Sequence, residues 1–305
     1  MIEEQKITDW TWVQVHEMQP NEREKLNQKY QIANEMINYA LDPYESARNE
    51  IDGENLLIIF DVVTPTSDIA TTEPASFIVN QDQKFLMTFT RMETKYLINY
   101  INKIIEQAHE NLHHFQPIDI LIDTLRILSS KFQTVILEIN RRRNPIQRAL
   151  REAKSLQGKI DELMNLQTDL IYLLNSLRSD NDLINNLKNQ KLLSLETAQI
   201  EKLVDVQVEL QQAQDTGELS QLVTNQVEDS YASIANNNLN WTMKMLTLVT
   251  VVLTIPTIVS GFYGQNVQWL PFAQNHTSWL ITILITGILM LITVIILWHR
   301  GFFKR

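Results

Sequence analysis

The sequence predicts an α+β cytosolic domain followed by long helices, with a long stalk helix that continues into the first of two C-terminal transmembrane helices. Three observations carry this reading. Residues 245–298 hold no Asp, Glu, Lys or Arg. All 36 acids of the chain lie before residue 241, and only Lys244, Arg300, Lys304 and Arg305 carry charge behind residue 240. Short apolar runs of strand length precede residue 93, and helical periodicity dominates after it. A polar, strongly acidic front and an apolar, weakly basic back exclude an ordinary soluble domain. They also speak against nucleic-acid binding, because phosphates need a basic surface. With no cysteine, disulfides, thiolate metal sites and a cysteine nucleophile are excluded as well.

From these shifts the chain divides into 1–195, a cytosolic α/β and helical domain; 196–244, the stalk helix; 245–264, the first span; 265–278, an external loop; 279–298, the second span; and 299–305, a basic cytosolic tail. Each span is long enough for a hydrocarbon core of about 30 Å at about 1.5 Å per residue. Trp279 and Trp298 bound the second span, as aromatic side chains do at membrane interfaces. Lys244 precedes the first span, the basic tail follows the second, and the loop between them has no base. The positive-inside bias then places both termini in the cytoplasm of a multi-pass protein of the cell membrane.

The first span carries Thr247, Thr250, Thr254, Thr257 and Gly261, spaced 3, 4, 3 and 4 apart. At about 100° per residue these share one face, and Asn240 and Met243 extend it toward the cytosol. A hydroxyl-bearing stripe serves either close helix packing or a water-filled path, and the pattern alone weighs the two equally. Pro256 predicts a local kink, tolerable in a membrane helix. Two helices enclose no pore. If the stripe lines a path, identical copies must set their first spans around an axis, with the second spans outside.

In the front part, strands are predicted at 10–15, 55–63, 76–79 and 85–89, and one helix over 21–41 ending at Asp42-Pro43. From residue 93 onward the pattern is helical, with breaks expected at Gln116-Pro117, at Asn144-Pro145 and around 178–185. The stalk bears an apolar stripe of Ile200, Leu203, Val206, Leu210, Ala213 and Gly217, whose phase drifts beyond Gly217.

One chemical motif competes with transport. His109-Glu110-Asn111-Leu112-His113 matches H-E-x-x-H, which in zinc peptidases sets two His on one helical face with Glu as general base. It is short, lacks a downstream ligand extension, and sits next to a helix end at Pro117, so a solvated helix end is the stronger reading. The acidic excess reads mostly as solubility. Arg141-Arg142-Arg143 reads as a salt-bridged or solvated turn.

The segment Tyr263-Gly264-Gln265-Asn266 closes the first span. With the two C-terminal spans, the basic tail and the run from Asp229-Ser230-Tyr231 through Asn240 to Met243-Lys244, it resembles the CorA group of divalent-cation channels. That group carries Tyr-Gly-Met-Asn at this place. Here Gln265 replaces the Met, and the loop continues Trp269-Leu270-Pro271-Phe272 with no acid, where the family has a Met-Pro-Glu-like run. The family's zinc-transporting branch also varies at these positions. The resemblance implies a homopentameric funnel in the lipid bilayer, with no enzymatic step, no nucleic-acid partner and no cofactor apart from the transported and regulatory cation. It implies a filter at Gly264, Gln265 and Asn266. It implies a pore lined by Asn240, Met243, Leu246, Thr250, Thr254 and Thr257, to which the stripe adds Thr247. It also implies an inhibitory metal at Asp205 on the stalk and a basic collar of Arg300, Lys304 and Arg305. The motif is chemically apt: Mg²⁺ keeps its waters, and a ring of neutral carbonyl oxygens can hydrogen-bond to those waters without removing them. The expected function is influx of Mg²⁺, with Co²⁺ or Ni²⁺ as further ions, gated by intracellular metal. The alternatives are a zinc transporter of the same architecture, a membrane-anchored metallopeptidase using His109, Glu110 and His113, and a membrane-tethered scaffold.

Overall fold

The computed structural model describes residues 1–19, 22–64, 71–108, 115–151, 158–272 and 276–303. The chain forms two compact units, residues 1–228 and 229–305.

The first unit is built on a six-stranded sheet. Its strands are β1 (Ile2–Ile7), β2 (Trp10–His16), β3 (Arg48–Asp52), β4 (Asn55–Val63), β5 (Thr72–Asn80) and β6 (Phe85–Thr90). The order is β1-β2-β6-β5-β4-β3. Only the β2–β6 pairing is parallel, with Trp12 opposite Leu86; the other pairings are antiparallel. All nine residues of β4 are buried, which explains its unbroken apolar run: a strand covered on both faces needs no polar alternation. Leu57, Ile59, Ile78 and Met87 pack with Leu26, Met36 and Ile37 from α1 (Arg23–Tyr30) and α2 (Asn34–Leu41). The opposite face meets α4 (Pro117–Arg151) and α5 (Lys159–Lys188), with α3 (Tyr96–Gln107) against α4. Each fully buried Leu, Ile or Phe contributes about 1.5–3 kcal/mol.

Several expectations are corrected here. The helix expected over 21–41 is two helices, because Gln31 takes a left-handed backbone (φ 53°) and ends α1. Strands β1 and β3 escaped notice because they are edge strands, largely exposed and rich in charge, as in the sequences IEEQKI and RNEID. The break at Asn144-Pro145 does not occur: Pro145 lies inside α4, where Ile139, Ile146, Ala149 and Leu150 are buried on either side of it. That burial outweighs the one lost backbone hydrogen bond. The break around 178–185 is absent too. In α5 the polar run is spanned by buried Leu177, Asp180, Leu183 and Ile184, and Asp180 finds its partner on the sheet, accepting the Asp61 N–H at 3.0 Å. Arg143 is no solvated turn residue. It is 8 % exposed and donates from Nη1 to the Ser220 carbonyl at 3.2 Å.

The stalk and first span are one helix, α6 (Thr197–Tyr263). Leu203, Val206, Leu210 and Ala213 are fully buried, but Ile200 is exposed and does not belong to that stripe. Beyond Gly217 the buried positions are Ser220, Thr224 and Val227, so the helix stays packed while its inward face turns polar. This is why the apolar phase drifts in the sequence. In the second unit the rest of α6 is joined by α7 (Ser278–His299), an apolar helix with no buried residue. Both helices are long and apolar enough to cross a membrane. Such surface needs lipid or further copies to cover it.

Candidate functional site

Sequence and packing together aim the threonines. Within the second unit, Leu248 and Val259 are buried and Met245, Val252 and Ile255 half-buried, at spacings that form one face of α6. On α7, Ile281, Ile285, Val294 and Leu297 are half-buried. Among the described residues of this unit there is no third helix, so these two faces shelter each other. Thr247, Thr250, Thr254 and Thr257 are exposed. At about 100° per residue their stripe is centred roughly 160° from the sheltered face. Thus α7 sits behind α6, and the hydroxyls face away from it.

Each hydroxyl spends its proton on its own helix. Thr247 donates to the Met243 carbonyl at 2.9 Å, Thr250 to Leu246 at 2.9 Å, Thr254 to Thr250 at 2.8 Å and Thr257 to Leu253 at 3.3 Å. A hydroxyl has one donor and two lone pairs. With the donor used, the stripe presents acceptor oxygens, which suit the outward-pointing protons of a hydrated cation.

At the inner end of α6 a groove of about 760 Å³ runs from the stripe, with Asn240, Met243 and Thr247, round to the α7 side, with Asn237, Asn238, Trp241, Lys244 and Phe302. Leu246, also expected in the pore, is 67 % exposed. At the outer end α6 stops at Tyr263. The Gly264 N–H bonds the Ser260 carbonyl at 2.8 Å and the Gln265 N–H bonds Phe262 at 3.4 Å. A Cβ on Gly264 would lie 3.1 Å from the Ser260 oxygen, a tight contact that Gly avoids. Gln265 and Asn266 follow with exposed side chains.

Asp205 is exposed on α6, one helical turn before Glu209. The Glu209 carboxyl is pushed up, first by burial and also by the charge of Asp205, while Arg126 of α4 opposes the shift. Beside them Lys202 pairs with Asp123 of α4 at 3.0 Å. Sequence reasoning missed Glu209; the signal was its i,i+4 spacing from Asp205, which sets two carboxylates on adjoining turns. Among the described residues no cluster of three or more His, Cys, Asp or Glu is arranged to hold a metal. Arg300 is exposed at the end of α7, where its N–H caps the Ile296 carbonyl at 3.0 Å. Lys304 and Arg305 lie outside the described residues, and so do His109, Glu110, Asn111, Leu112 and His113.

The family model described as CorA-like Mg²⁺ transporter protein matches residues 8–305. The chain belongs to this family. It is 25 % identical over 286 residues to the cobalt/magnesium transport protein CorA of Methanocaldococcus jannaschii, covering 92 % of this chain and 87 % of that protein. It is 24 % identical over 200 residues to the CorA of Thermotoga maritima, covering 65 % of this chain and 54 % of that one. The solved structure of the complete CorA magnesium transporter from M. jannaschii has the same fold, with a TM-score of 0.84 at 22 % identity over 96 % of this chain and 92 % of that one. The cytoplasmic domain of ZntB from Vibrio parahaemolyticus has a TM-score of 0.60 at 13 % identity over 76 % of this chain and 90 % of that one. The chain is therefore a membrane protein of a divalent-metal transporter family, with two candidate spanning helices. That is not an enzyme family, and it gives the metallopeptidase reading no support.

Proposed function

We propose that the protein is a homopentameric divalent-cation channel that admits Mg²⁺, and also Co²⁺ or Ni²⁺, down the membrane potential, with both termini in the cytoplasm. The observation that carries this reading is the acceptor-presenting threonine stripe on the face of α6 turned away from α7, ending at Gly264, Gln265 and Asn266, in a chain matched by the family over residues 8–305. A symmetric ring of α6 helices, with α7 outside, gives those oxygens a shared axis. Assembly is further supported by exposed Ile200, Val204, Val208, Leu219 and Leu222, which lie roughly opposite the buried stripe of α6 and call for a second copy. A divalent ion gains about 4.6 kcal/mol per 100 mV on entry, so no other energy source is needed.

In the proposed mechanism a hydrated ion is captured at Gly264, Gln265 and Asn266. It then passes Thr257, Thr254, Thr250 and Thr247, and leaves by Leu246, Met243 and Asn240. The basic tail of Arg300, Lys304 and Arg305 forms a collar at the inner mouth. Closure follows binding of internal metal at Asp205, with Glu209 as a second carboxylate on the same surface. Asp205→Asn is expected to raise the internal Mg²⁺ concentration needed for half-closure by tenfold or more, the equivalent of about 1.4 kcal/mol; unchanged inhibition would remove Asp205 from the gate.

Zinc transport is the second reading. It is favoured by the external loop, in which residues 265–278 include no acid to gather the harder, more strongly hydrated ions. Purified protein in liposomes, offered Mg²⁺, Co²⁺ and Zn²⁺ in turn under an inside-negative potential, separates the two. Mg²⁺ flux that excess Zn²⁺ does not suppress supports the first reading. Flux of Zn²⁺ alone establishes the second, and no flux of any ion leaves neither standing.

A further inference from the structure

A pair of acidic side chains lies in the first unit, between the sheet and α5, and includes no residue assigned to the ion path or its gate. Asp180 of α5 is fully buried. One of its oxygens, Oδ1, accepts the Asp61 N–H of β4 at 3.0 Å. The other, Oδ2, is buried with no hydrogen-bond partner. Asp61 is itself buried, and its carboxyl is hydrogen-bonded by Ser176, one turn before Asp180. The Ser176 hydroxyl is 2.7 Å from that of Thr72 on β5.

Among the described residues no charge neutralises this pair. Glu73 of β5 adds a further negative field at Asp61, and it is held by Arg91 at 3.2 Å. On β3, Arg48 is committed to Glu45 and Glu50. On α4, buried Arg143 is committed to Ser220 of α6. From α6, Gln214 reaches Asn181 and Glu218 pairs with Arg178. Asp169, on the same face of α5 three turns earlier, is a third buried carboxyl and has a partner of its own. Two buried carboxylates with no cation against them among the described residues cannot both stay ionised, because the cost of desolvating the second charge is unmet.

We propose that the buried pair of Asp180 and Asp61 holds one proton at neutral pH, carried by Asp180, and that this neutral form keeps α5 packed on the sheet and makes the first unit sensitive to pH. A metal ion is the weaker occupant, because the site offers two carboxylates and two hydroxyls in a closed interior, whereas Mg²⁺ demands six oxygens and keeps most of its waters. Burial drives the Asp180 carboxyl well above the ordinary aspartate range, with the charge of Asp61 adding to it, and burial likewise raises Asp61. The folded chain therefore holds a proton that the unfolded chain has released. Stability from this source is complete below the ordinary aspartate pKa and declines as pH rises toward the raised native value.

The test uses the full chain in detergent. Thermal unfolding is followed from pH 5.5 to 9 for the wild type, Asp180→Asn, Asp61→Asn and Asp180→Ala, each with and without Mg²⁺, and the infrared band of a protonated carboxyl is recorded at pH 7. Asn keeps the acceptor for the Asp61 N–H and stands in for the neutral acid. Asp180→Asn is expected to flatten the alkaline fall in Tm, to raise Tm by about 4 °C or more at pH 8, and to remove a buried carboxyl band. Asp61→Asn should weaken the same pH dependence, and Asp180→Ala should lower Tm at every pH because it leaves the Asp61 N–H unpaired. A Tm–pH curve unchanged in Asp180→Asn, or no protonated band in the wild type, overturns the proposal. So does a Mg²⁺-dependent rise in Tm that the wild type shows and Asp180→Asn lacks, which would make the pair a metal site. None of these readouts depends on ion flux, so the result stands apart from the transport reading.

Discussion

Replacing Asn266 by alanine is expected to abolish selective uptake of hydrated Mg²⁺ while leaving assembly intact. The side chain is exposed beyond the end of α6 and supports no packing, so its loss costs the fold little. In the proposed ring each copy contributes one amide oxygen to the ion's water shell. Losing about 1 kcal/mol of hydrogen bonding per copy amounts to several kcal/mol around the ring, on the order of a thousandfold in capture. Gln265→Ala is expected to do less, since its backbone carbonyl survives. The measurement is Mg²⁺ uptake into liposomes with Asn266→Ala, Asn266→Gln and wild-type protein at equal loading. Wild-type flux through Asn266→Ala would show that the ion is selected elsewhere.

The largest structural effect is expected at Gly217. A Cβ there would stand 2.9 Å from Leu174 Cδ2 and 3.4 Å from Ile136 Cδ1. Both neighbours are buried, on α5 and α4 respectively, so neither can swing aside into solvent. Glycine at mid-helix normally costs about 1 kcal/mol relative to alanine, and here it permits three helices to meet closely. Gly217→Ala should cost about 1 kcal/mol, the gain in helix propensity only partly offsetting the forced shift of buried Leu174. Gly217→Leu should overpack the contact and cost about 3 kcal/mol or more. Thermal unfolding of the full chain in detergent checks both. A leucine variant as stable as the wild type would mean that the α4–α5–α6 contact is loose.

The two membrane spans were legible because each is a long apolar segment without a charge, and only a membrane makes such a run affordable in free energy. The threonine stripe was legible because helical periodicity survives whatever surrounds it. Strand β4 announced itself by continuous apolar residues. Edge strands β1 and β3 did not, since a strand with one exposed face and several charges looks like a loop. Pro145 and the polar run around Asp180 were misread as breaks, because local propensity was weighed without the packing that overrides it.

Local sequence pattern determined which segments are helix, strand or span, and it placed the threonines on one face, since these follow from the spacing of side chains along the chain. Only the tertiary structure decided that this face turns away from α7. It alone joined Asp61 to Asp180, brought Arg126 of α4 to Glu209, and committed buried Arg143 to the Ser220 carbonyl. Each of these depends on which distant segments meet, and burial sets the cost of a charge only after they have met.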